Sequence, residues 1–133
     1  MKKKLFFSLN ILIPLFLGLL AYLTIKNSTY INSFLAIEGH ASANPFLIFV
    51  SNWGCDILWS YSLTFAVYLS VYSFRKRLGL TVIISGMLGI TLEFLQYTGI
   101  VHGTFDPLDI CFEIMAVIIA AIVIIRRGKN EKN

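Results

Sequence analysis

Charge is what this sequence has least of. Of its 133 residues, 14% are charged and 57% hydrophobic, giving a mean hydropathy of +0.78, whereas a soluble domain carries roughly a quarter charged residues. That shortage excludes an ordinary soluble enzyme and predicts an all-α, polytopic membrane protein in contact with the lipid bilayer. Cysteine is also scarce. Cys55 and Cys111 form neither a CxxC pair nor a His/Cys metal spacing, so zinc-ribbon and redox motifs are excluded. Both read as small buried hydrophobes, with a disulfide between them left open. His102 next to Asp106 and Asp109 could join a ligand set, but one loop histidine does not specify a metal. No metal and no cofactor is expected. The length accommodates a single domain, 1–133, with no room for a soluble catalytic domain beside the helices.

What is present is a set of apolar runs. Spanning helices are predicted at about 5–25, 56–74, 78–97 and 108–125, each near the twenty residues a bilayer requires. Residues 26–55 read as an outer loop, in which "FLIFVSNW" is too short to span and lies at the interface, anchored by Trp53 and Trp59. A lysine-rich start before an apolar run also describes a signal peptide. The AxA tripeptide at Ala41, Ser42 and Ala43 lies too far downstream for cleavage, so the first run is expected to stay as a helix.

Three basic blocks flank these runs: Lys2 to Lys4, Arg75 to Arg77, and Arg126, Arg127, Lys129 and Lys132. With four spans and the amino terminus inside, all three blocks face the cytoplasm and only Lys26 falls outside, as the positive-inside rule requires. The expected architecture is a four-transmembrane-helix bundle with N- and C-termini cytoplasmic. The basic charge is thereby accounted for without nucleic acid as a partner.

Five of the seven carboxylates segregate to the opposite side, with Glu38 and Glu131 standing apart. Asp56 opens the second run, Glu93 lies near the end of the third, and Asp106, Asp109 and Glu113 occupy the start of the fourth. Glu93 and Gln96 are three apart, Asp109 and Glu113 four apart, so each pair shares a helix face. "TFDPLD" is also a helix-start pattern, with Asp106 or Thr104 as N-cap and Pro107 at the first helical position. Glu93 and Glu113 resist that structural explanation, because a carboxylate at the centre of a membrane helix costs about 2.5–3.5 kcal/mol and usually faces a protein or water cavity. Ser85, Gly86 and Gly89 on the third run and Ala116, Ala120 and Ala121 on the fourth would let these two helices pack closely.

The stretch "LEFLQYTGIVHGTFDPLDICFE" resembles the signature of the VanZ-like family of small bacterial integral membrane proteins. Glu93, Gln96, Phe105, Asp106 and Asp109 match it position by position, and Asp56 with Tyr61 corresponds to an earlier aspartate and aromatic element. The family's loop arginine is absent, and Glu113 stands where an asparagine is expected. The resemblance implies a multi-pass protein of the bacterial cytoplasmic membrane acting in the cell envelope. Its namesake is associated with resistance to the glycopeptide teicoplanin.

Asp56, Glu93, Gln96, Asp106, Asp109 and Glu113 are therefore the expected functional cluster. It would form an acidic outer pocket for a lipid-linked cell-wall precursor, a headgroup or a glycopeptide, in a chain that can also self-associate. Two rival readings use the same acids. In one, paired carboxylates activate water on a lipid-linked substrate, but no nucleophile or phosphate-binding arginine accompanies them. In the other they relay protons in a small transporter, although they sit at one end of the helices instead of the midplane.

Overall fold

The computed structural model describes residues 2–24, 44–71, 77–101 and 105–130, and among these there is no strand. The helices are α1 (Lys2–Thr24), a short α2 (Pro45–Phe49), α3 (Cys55–Ser70), α4 (Arg77–Tyr97) and α5 (Pro107–Asn130). Among the described residues, three segments are long and apolar enough to cross a membrane, Lys4–Leu23, Arg77–Tyr97 and Pro107–Gly128. α3 has 16 residues, about 24 Å at 1.5 Å per residue, less than the roughly 30 Å of a hydrocarbon core.

α3 does not begin as the sequence suggests. Residues 45–54, expected in the outer loop, are helical: a π-helical segment at Val50–Gly54 joins α2 to α3 without a break. The start is set by Asn44, whose side chain accepts the Phe46 N–H at 2.9 Å, with Pro45 pre-set for the first turn. The widened turn brings Val50 onto buried Gly54, where a Cβ would lie 3.1 Å from Val50 Cγ1.

α3 is the central helix, packed against α1, α4 and α5, and its buried residues Ser60, Ser62, Thr64 and Phe65 point in several directions. Against α1 it runs antiparallel. Phe7 meets Phe65, the Tyr61 hydroxyl donates to Asn10 Oδ1 at 2.7 Å, and Cys55 Sγ reaches the Gly18 carbonyl at 3.5 Å. The Ser62 hydroxyl donates to the Ile11 carbonyl at 2.6 Å. This contact lies one residue after Asn10, whose carbonyl is left without a helical donor by Pro14.

α4 and α5 are polar or small where they face protein and apolar where they do not. The buried residues of α4 are Thr81, Ser85, Gly89 and Glu93, four apart along one stripe, while Ile83, Met87 and Ile90 are exposed. α5 buries Ala116, Val117, Ala120, Ala121 and Ile124 and exposes Ile118, Ile119 and Ile122. A protein in water would invert that arrangement; in lipid, small residues inside and large aliphatics outside are the stable distribution. Of the small residues expected at the α4–α5 seam, Gly86 differs, since a Cβ there would meet open space.

The main apolar core, Phe7, Phe65, Ala120 and Ile124, lies toward the basic end. There Arg77 donates from Nε to the Tyr68 carbonyl at 2.7 Å and stacks on the Tyr68 ring, and Arg127 lies over Phe6. The basic starts and ends of α1, α4 and α5 therefore gather at one end, and the acids collect at the other.

At that acidic end α4 stops in a Schellman motif. Gly99 has φ +73°, its N–H donates to the Gln96 carbonyl, and the Ile100 N–H donates to that of Leu95. A Cβ at Gly99 meets no atom, so Gly99→Ala isolates the backbone cost of a left-handed residue. It is expected to lower stability by about 1–2 kcal/mol, read as an earlier midpoint in detergent unfolding.

Candidate functional site

A cavity of about 430 Å³ opens among α1, α3, α4 and α5 toward the acidic end. Four of the six residues singled out from the sequence line it: Asp56 from α3, Glu93 and Gln96 from α4, and Glu113 from α5. They come together because α4 presents Gly89 and Glu93 one turn apart to α5. Gly89 makes the approach feasible, since a Cβ there would collide with the Glu113 carboxylate.

The two glutamates are held differently. Glu93 is 4% exposed. Its carboxyl group lies beside the Asp106 main chain, while its Oε2 is buried with no hydrogen-bond partner among the described residues. Glu113 lies beside the Ser60 side chain, and its Oε2 is likewise buried and unmatched among the described residues. Asp56, Glu93 and Asp109 all lie close enough to Glu113 to act on its charge. Two acceptor atoms thus remain unused in a desolvated chamber, an arrangement that costs free energy unless a donor occupies it.

The other two expected residues do not line the cavity. Asp106 caps α5: its Oδ1 accepts the Leu108 N–H at 2.9 Å and its carbonyl accepts the Asp109 N–H at 3.0 Å. That is the capping role "TFDPLD" offers, with Asp106 as the cap in place of Thr104. The Asp106 main chain still lies beside Glu93. Asp109 stands in the first turn of α5, with Oδ1 buried and Glu113 within electrostatic range. His102, weighed as a ligand, lies outside the described residues. No disulfide joins Cys55 and Cys111: Cys55 is buried as expected, whereas Cys111 is exposed on the surface of α5 and not buried. Among the described residues no three His, Cys, Asp or Glu side chains are grouped as a metal ligand set.

Several wall residues are not evident from sequence. Ser60, Ser62 and Trp59 come from α3, and Ile11 and Leu15 from α1. Trp59, expected only as an interfacial anchor, is seated by Gly18, where a Cβ would lie 2.5 Å from its Nε1, and by the Tyr22 ring at 5.9 Å. The apolar wall of Ile11, Leu15, Leu63, Ala66 and Leu92 gives the chamber one polar and one apolar side. α1 and α4 each pack on α3 without packing substantially on each other, so their separation leaves a lateral opening beside Leu15 and Leu92. Such a chamber can receive a molecule with a polar head and an apolar body. No family model, curated protein or solved structure matches the chain.

Proposed function

We propose that this chain is a VanZ-like integral membrane protein of the bacterial cytoplasmic membrane that binds a lipid-linked or amphiphilic molecule in an acidic pocket on its outer face. Four spans with both termini cytoplasmic are part of this reading, α3 crossing as the second span with its helical extension from Pro45. The gathering of basic residues at one end supports that orientation, and the central position of α3 supports its counting as a span.

The observation that carries the binding reading is that Glu93 and Glu113, from two helices, line one cavity with a lateral apolar opening while each keeps an unmatched buried oxygen. Carboxyl groups that only capped helices would sit at helix starts, as Asp106 does. Instead these two lie within helices whose outer faces are aliphatic. A cell-envelope role, including reduced susceptibility to teicoplanin, follows from the resemblance of the Glu93–Asp109 segment.

Cells expressing the wild type, Glu93→Gln and Glu113→Gln are compared for growth under teicoplanin, with membrane levels measured in parallel. The expected result is that the wild type protects and both variants lose protection while accumulating normally. Protection that persists in both, or that falls only with protein level, sinks the pocket as the functional site.

A further inference from the structure

Building on the binding reading, we infer that the chemical group seated in the chamber is an ammonium, carried on an apolar chain that enters between α1 and α4. Among the described residues the wall contains three carboxyl side chains, one amide and two hydroxyls, and no lysine, arginine or histidine. A phosphate or pyrophosphate head would meet charge of its own sign in a desolvated space. An ammonium supplies what the chamber lacks. It has N–H donors and no acceptor, and the unmatched Oε2 atoms of Glu93 and Glu113 are acceptors buried at its wall.

Burial makes this more than a collection of acids. Glu93, at 4% exposure, is among the most enclosed polar residues described, and a charge removed from water is retained at low cost only when paired and hydrogen-bonded. Trp59 adds an aromatic surface on the same wall, held by Gly18 and Tyr22, and indole is the best of the side-chain rings for a cation. The apolar wall at Leu15, Leu63 and Leu92 would take the first methylenes of the chain. An organic cation fits better than a metal ion, because the described acids do not group as a ligand set and most of the wall is apolar.

The test uses three probes of one chain length, dodecylammonium, dodecyl phosphate and dodecanol, offered to the purified full-length protein in octyl glucoside and counted as retained adducts by native mass spectrometry. One dodecylammonium per chain is expected, favoured at least about tenfold over the other two, with the preference lost in the Glu93→Gln, Glu113→Gln double variant. Equal retention of all three overturns the ammonium inference while leaving an amphiphile site intact. Retention of none overturns the binding reading as well. The series on the wild type decides these points even where the double variant fails to fold. Adding phosphatidylethanolamine, with phosphatidylglycerol as control, separates two sources of the same chemistry. Displacement of dodecylammonium identifies a lipid headgroup, and its absence identifies a free amphiphile; either supports the inference.

Discussion

Phe65→Ala is expected to lower unfolding free energy by about 3–5 kcal/mol, the loss seen when a large aromatic is removed from a packed interior. Phe65 is fully buried and stands at the junction of three helices, contacting the rings of Phe6, Phe7 and Tyr61 and clustering with Ala120 and Ile124. Much of the loss would come from packing, because lipid tails solvate an apolar ring nearly as well as a core does, leaving little hydrophobic drive between membrane helices. Unfolding by a denaturing detergent, followed by circular dichroism, reads the change. A loss below about 1 kcal/mol, the value for an ordinary substitution, would mean that the helices do not converge on this ring.

The second large effect concerns Gly89. In Gly89→Ala the new methyl collides with the Glu113 carboxylate. Because that group ends a flexible side chain, it can swing away from α4, and the stability cost is expected near the lower end of the roughly 1–3 kcal/mol typical of overpacking. The functional cost should be much larger, since a displaced carboxyl no longer lies opposite Glu93. Protection should fall as far as it does in Glu113→Gln. A companion Glu113→Ala removes the colliding atoms, so in the double variant the two stability losses should fall short of additivity by about 0.5–1 kcal/mol, up to the whole Gly89→Ala loss. Additive losses in that cycle would show that Gly89 and Glu113 are not in contact.

These two expectations fall on different parts of the molecule. Phe65 secures the basic end, where apolar side chains and stacked arginines close the bundle. Gly89 governs the acidic end, where small residues and hydroxyls leave a chamber. Stability and site are therefore separable: damage to the core should reduce the amount of folded protein, whereas damage to the chamber should reduce what each folded molecule does.

How far the sequence reveals this depends on which property is asked. Long aliphatic runs disclose α1, α4 and α5, because lipid selects length and hydropathy along the chain. The pairing of Glu93 with Gln96 on one face is legible for a similar reason, as spacing along one helix is a local property. Lateral arrangement is not local. α3 is apolar enough to resemble its neighbours, yet its hydroxyls at Ser60, Ser62 and Thr64 are buried, and nothing in their spacing says which helix each one faces. Ile11 and Leu15 are indistinguishable in sequence from the rest of their apolar run, yet they contribute to the cavity wall. Asp109 and Glu113 show the limit of periodicity, since the four-residue interval puts them on one face but only Glu113 extends as far as the cavity. The helical start at Pro45 was obscured by a short apolar run that gains its length only by continuing through a π turn.

The most direct measurement is proximity between α4 and α5 at the chamber. Cysteines placed at positions 93 and 113, in a chain whose Cys55 and Cys111 are serine, are treated with a short bifunctional thiol reagent in intact membranes. A second pair at Ile83 and Ile119, both exposed, serves as control. The predicted result is an intramolecular cross-link at 93 and 113 and none at the control pair. Cross-linking that fails at 93 and 113, or is no better than the control, would contradict a shared chamber and return Glu93 and Glu113 to separate surroundings.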